Sequence, residues 1–165
     1  RARPDVMAVV HSHSVAVVPF SILKGVPFRA VCHMGGFIGI CAPIFEIRDI
    51  AGEASDLLIR NSELGAGVAR TLGDGNVVLM RGHGLTLVAE SVPALLVDAV
   101  HFEENAKAMM QVLQAGAEPE PFTEAELVQI NKHEMRDFHI GKLWNYYVRK
   151  GVAEGVVPSD WNLVT

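Results

Sequence analysis

The sequence predicts one α/β domain built on a largely antiparallel or mixed sheet, and three observations carry that prediction. Short runs rich in β-branched residues, Val6-Met7-Ala8-Val9-Val10, Asn76-Val77-Val78-Leu79-Met80 and Leu85–Ala89, read as strands. Asn76–Arg81 and Leu85–Ala89 are separated only by the turn Gly82-His83-Gly84, which reads as a hairpin-like pair. Long segments with apolar residues at three- and four-residue steps interleave with them and read as covering helices.

In chain order, Val6–His11 is expected to be a buried strand. Ser14 is expected to cap a short helix toward Leu23, kinked by Pro19 and stopped at Lys24-Gly25. Phe28–Cys32 reads as a strand ending in the turn His33-Met34-Gly35-Gly36-Phe37, and Phe37–Ile50 as irregular with one strand. Asn61-Ser62 introduces a helix over Glu63–Leu72, ended by Gly73-Asp74-Gly75. Ser91 caps a long helix to about Ala115, whose apolar face is Leu95, Leu96, Ala99, Phe102, Ala106, Met109, Met110 and Leu113. After a Pro-containing loop, Thr123 and Glu126 form a capping box, with Phe122 and Leu127 as its hydrophobic staple, opening a last helix to Arg149.

Bulk properties narrow the function classes. The 165 residues are 50% hydrophobic and 20% charged, the balance of a single globular domain spanning 1–165. A net charge of −5 excludes nucleic acid as the main partner. No apolar stretch approaches the ~20 residues of a membrane span, and no secretory leader is evident, so a cytoplasmic location is expected. Cys32 and Cys41 lack metal or redox spacing and are expected to be reduced thiols. Neither a Walker A sequence nor GxGxxG after a strand occurs. The chain opens on Arg1 with its candidate site at position 11, which reads as a piece of a longer or processed chain.

Chemistry concentrates in three histidines. His11 and His13 lie two apart at a strand end, so both side chains point to one face, roughly 6–7 Å apart. At that spacing two imidazoles can converge on one ion, since Zn–N bonds are about 2.0–2.1 Å. His83 sits between two glycines that permit a tight turn and close approach of a ligand. Each histidine alone reads equally well as a structural strand-end residue; the combination points to one divalent ion, with Zn, Mn, Co and Mg left open.

The strand ending in His11-Ser12-His13-Ser14, and Val77–Val88 carrying Arg81-Gly82-His83-Gly84 before a Ser91-capped helix, resemble the class II aldolase/adducin family. The resemblance runs from Pro4 to about Gln114. It implies a three-layer α/β/α fold, a homotetramer, and a metal held by His11, His13 and His83. Gly82 stands where the family usually has Asn, and the family's catalytic acid and phosphate-binding loop lie upstream of the matched strand. Gly25-Val26-Pro27-Phe28-Arg29, His33–Phe37 and Leu72-Gly73-Asp74-Gly75 further resemble a branch that decarboxylates aromatic or heteroaromatic hydroxy acids.

The expected activity is therefore a metal-dependent C–C lyase acting on a small molecule, a decarboxylase ahead of an aldolase or epimerase of sugar phosphates. A non-catalytic adducin-like scaffold is the alternative from another class. His33, in a turn that Gly35 and Gly36 are expected to leave open, is a candidate proton donor, as are Tyr146 and Tyr147, which point about 100° apart on the last helix. The resemblance implies that a C-terminal tyrosine reaches a neighbouring subunit's site. Arg29, Arg81 and Arg149 are candidate carboxylate clamps, with Gly35 beside the substrate. Each of these has an ordinary structural reading as well. His101 and Glu104 read as a helix-face pair, His133 and His139 as surface residues.

Overall fold

A computed structural model describes residues 3–161. Its sheet has four strands in the order β1-β4-β3-β2: β1 (Ala8–Ser12), β2 (Ile44–Phe45), β3 (Val77–Met80) and β4 (Gly84–Ala89). The β1–β4 and β3–β4 pairs are antiparallel and β2–β3 is parallel, so the sheet is mixed. The helices are α1 (Arg48–Ala51), α2 (Ser62–Leu72), α3 (Val92–Gln114), α4 (Glu124–Ile130) and α5 (His133–Ala153).

Strand periodicity sorts the core into two sides. Val77, Leu79, Leu85 and Leu87 point to one face, where α3 packs through Leu95, Phe102, Ala106 and Met109. Phe102 sits at the centre of that side, with ring centroids 4.8 Å from Phe28 and 6.3 Å from Phe37. Val78, Val88 and Phe45 point to the other face, against Leu64 and Leu72 of α2. Helices thus cover both faces, giving the expected three layers. Because α2 lies over β2 and β3, the same face of the edge strand β1 is left open: Met7 is 68% and Val9 61% exposed. The expectation of a buried strand is corrected to an edge strand with one buried face.

Helix caps follow the sequence closely. The side chains of Asn61 and Ser91 accept hydrogen bonds from the backbone N–H of Leu64 and Ala94, and the Thr123–Glu126 capping box is present.

Four segments depart from expectation. Ser14–Leu23 forms only a 3₁₀ turn over Val18–Ser21, with Pro19 in its first turn. His33–Ile38 is also 3₁₀. Phe28–Cys32 is extended but joins no ladder. Its polar backbone is served by Asn105, a fully buried α3 side chain: Oδ1 accepts from the N–H of Val31 (2.8 Å) and Cys32 (3.1 Å), and Nδ2 donates to the Arg29 carbonyl (2.8 Å). The last helix is two helices, broken at Asn131-Lys132. There Ile130 packs on Gly36 and Asn131 Nδ2 donates to the Gly36 carbonyl at 2.9 Å. A buried Asp98–Arg136 pair (2.7 and 3.0 Å) then ties α5 to α3.

Candidate metal centre

The open face of β1 is where the three histidines meet. His11 stands on β1 opposite Thr86, His13 follows the strand end, and His83 occupies the β3–β4 turn. Their ring centroids lie 4.8–5.0 Å apart, and one ring nitrogen from each falls within 4.8 Å of the others. His11 Nε2 and His13 Nε2 are 2.9 Å apart. It is the one such cluster of metal-ligating side chains among the described residues.

Backbone carbonyls fix two of the rings. His11 Nδ1 donates to the Leu85 carbonyl at 2.9 Å and His83 Nδ1 to the Leu57 carbonyl at 2.6 Å. A proton held on Nδ1 leaves Nε2 as a lone pair, which is how metal-ligating histidines are usually oriented. Burial holds His11 below the ordinary imidazole range, with the neighbouring imidazoles adding to that and the Leu85 hydrogen bond opposing it. The donor set therefore fits a divalent ion: three imidazole nitrogens converge on one point, two of them from rings fixed by backbone carbonyls.

Sequence reasoning missed both carbonyl anchors. Leu57 carries a left-handed backbone, φ +65°, the one non-glycine residue with that conformation among those described. Its loop is braced by Ser55 Oγ, which accepts from the Leu57 N–H, and by Asp56 Oδ1, which accepts from the Leu58 N–H. Gly82 is also left-handed, φ +64°, a conformation that Gly and Asn share readily. Ser21 Oγ accepts from the Gly82 N–H and secures the turn.

The histidines open onto a cleft of about 710 Å³ walled by Leu58, Ile59, Val68 and Met80, with Arg60 on its lining. The other expected site residues lie elsewhere in this chain. His33 borders a cavity of about 50 Å³ beside Asp98, His101 and Arg136. Its neighbours Gly35 and Gly36 are not open space, since Asn105 and Ile130 pack directly on them. Arg81 pairs with Glu46, and Arg29 lies beside Met109 and Leu113 of α3. Tyr146 is exposed and Tyr147 half-buried on α5, their rings 5.2 Å apart; burial raises the Tyr147 phenol. Arg149 is exposed on α5. His101 Nδ1 lies 3.3 Å from Glu104, as expected, and His139 bonds the Met135 carbonyl. The side chain of His133 lies outside the described residues. Both cysteines are free thiols.

Residues 1–110 match the model of the Class II Aldolase and Adducin N-terminal domain. The chain belongs to the class II aldolase and adducin family. Among curated members, it is 34% identical to "Decarboxylase tropJ" of Talaromyces stipitatus, over 94% of this chain and 65% of that protein. It is 29% identical to a 3,4-dihydroxyphthalate decarboxylase of Rhodococcus jostii, over 93% of this chain and 61% of that protein. The chain thus spans less than two thirds of the length of either relative. Among solved structures, an L-fuculose 1-phosphate aldolase from Glaciozyma antarctica superposes with a TM-score of 0.67 at 18% identity, covering 93% of this chain and 56% of that one. An aldolase II superfamily protein from Pseudomonas syringae superposes at 0.63 with 21% identity, covering 94% and 60%. These two likenesses establish the fold.

Proposed function

We propose that this chain carries the metal centre of a lyase that decarboxylates an aromatic or heteroaromatic hydroxy-carboxylate, with His11, His13 and His83 as the ligands. The observation that carries the reading is the convergence of three imidazoles, two of them locked through Nδ1 by backbone carbonyls. The decarboxylase names of the relatives favour loss of CO₂ over aldol cleavage.

When bound, a divalent ion supplies Lewis acidity toward a hydroxyl and carboxylate held side by side, lowering the cost of the charge left as a C–C bond breaks. The protein's part is to hold and to enclose. The carbonyls of Leu85 and Leu57 keep the imidazoles aimed, so little reorganisation accompanies binding. Leu58, Ile59 and Val68 offer an apolar wall to an aromatic ring and lower the local dielectric. Loss of CO₂ leaves its bonding electron pair on the ring carbon, which a proton must then quench. His33, Tyr146 and Tyr147 are proposed donors. In one chain they stand apart from the cleft, so their use calls for a neighbouring subunit, consistent with the homotetramer that the family resemblance implies. Arg29, Arg81 and Gly35 are proposed to bind substrate, and they too stand outside the cleft lining in one chain. A small-molecule substrate and a cytoplasmic setting complete the reading; no helix among the described residues is long and apolar enough to cross a membrane.

The test is a paired assay on protein supplied with Zn²⁺ or Mn²⁺. CO₂ release from 3,4-dihydroxyphthalate is expected, without cleavage of L-fuculose 1-phosphate. Cleavage of the sugar phosphate with no CO₂ release contradicts the proposal.

A further inference from the structure

Building on the metal-centre reading above, we infer that Leu57 is a positioning residue for His83. Its left-handed backbone, rather than its side chain, sets how firmly the third ligand is held for the ion.

Leucine has no intrinsic reason to stand at φ +65°. Its Cβ crowds the backbone there, so the conformation persists only where the surroundings impose it. Side chains on both sides of the bond impose it here. Ser55 Oγ accepts from the Leu57 N–H and Asp56 Oδ1 from the Leu58 N–H, each at 3.1 Å. Asp56 Oδ2 also accepts from Arg60 Nε at 2.7 Å, and Asn61 then caps α2. The turn so fixed presents the Leu57 carbonyl to His83 Nδ1, 2.6 Å away. A return to negative φ would rotate that carbonyl about the N–Cα bond and off the imidazole, freeing both its tautomer and its orientation.

The two carbonyl anchors differ in kind. Leu85 belongs to β4, whose ladders to β1 and β3 fix its carbonyl whatever its side chain. Leu57 lies outside helix and strand, so the direction of its carbonyl depends on the backbone of that one residue. Its side chain has a role that competes for the explanation. Half-buried, it packs against the cluster around Val78 and Val88, and its Cδ1 lies 3.9 Å from where a Cβ on Gly82 would stand. Backbone aim and side-chain packing order two substitutions in opposite ways. Valine stays apolar but, being β-branched, avoids the left-handed region; asparagine gives up the packing and enters that region readily.

The test is calorimetric Zn²⁺ titration and the visible absorption of Co²⁺-loaded protein, with circular dichroism to confirm folding. Leu57→Asn is expected to bind Zn²⁺ within about threefold of the unaltered protein and to keep its Co²⁺ spectrum, whereas Leu57→Val should bind at least about tenfold more weakly with altered Co²⁺ bands. Asp56 gives a second arm that leaves Leu57 in place and, being exposed, spares the core. Asp56→Ala removes the acceptor for the Leu58 N–H and should weaken Zn²⁺ binding about tenfold; Asp56→Asn, which keeps an acceptor oxygen, should restore it. If Leu57→Val binds as tightly as the unaltered protein, if Leu57→Asn is the weaker of the pair, or if Asp56→Ala binds unchanged, the positioning role is overturned and the metal centre stands. If the unaltered protein binds neither Zn²⁺ nor Co²⁺, the metal-centre reading fails and this inference falls with it.

Discussion

Gly84 shows how tightly single residues set the candidate site. A Cβ added there would collide with the Ser12 carbonyl and lie 2.9 Å from Cδ2 of His13. Gly84→Ala must therefore push β1 from β4 where the two histidines sit. A loss of about 1–3 kcal/mol of stability is expected, the usual cost of overpacking, with weaker Zn²⁺ binding alongside. Denaturant unfolding and zinc titration check both effects. Glu46 makes a separate prediction at the same scale. Hydrogen bonds from Arg48 first, and then from Arg81, hold its carboxyl at about 2, well below the usual value. A depressed carboxylate contributes stability that is complete above the unfolded value, near pH 4.5, and lost as pH falls toward 2. Glu46→Gln should thus be less stable than the unaltered protein above pH 4.5 and equal to it near pH 2, as read by unfolding at each pH. Of the site itself, the His11–His13 spacing and the Gly-flanked His83 were legible because two-residue periodicity and turn chemistry are local. The Leu57 carbonyl was not, because nothing in the letters around Leu57 signals a left-handed backbone aimed 26 positions ahead.

At the scale of elements, legibility followed the reach of the forces. Strands β3 and β4, helices α2 and α3 and the Thr123 capping box are each specified by residues within a turn or a hairpin of one another. The extended stretch through Phe28–Cys32 is specified by Asn105, more than seventy positions away. Its β-like composition is genuine, but an amide side chain does the work of a neighbouring strand. The break between α4 and α5 likewise comes from Ile130 and Asn131 docking on Gly36. These contacts make a prediction: Asn105→Ala leaves two part-buried N–H groups and a carbonyl without their partner, at about 1–3 kcal/mol for each group left unpaired. A loss of at least about 3 kcal/mol is expected in urea unfolding. A loss below about 1 kcal/mol would mean that the segment is held by other means.

For the whole molecule, the decisive feature is that helices cover one sheet face fully and the other only in part. α3 closes one side; α2 shields β2 and β3 and leaves the β1 side open, and the three histidines gather in that gap. Helices covering a sheet were readable from the apolar β-rich runs and helix spacing, and the three layers from the family resemblance, whereas the gap depends on where α2 docks. The account stands on the histidines acting together as ligands. Because imidazole must be neutral to bind a metal, affinity should fall on acidification. The most direct measurement is metal content and affinity by elemental analysis and titration at pH 7.5, on the unaltered protein and on His83→Ala. About one Zn²⁺, Mn²⁺, Co²⁺ or Mg²⁺ per chain, lost in His83→Ala and released on acidification, is the predicted result. An unaltered protein that binds no divalent ion, or a His83→Ala variant that binds as tightly, would contradict it.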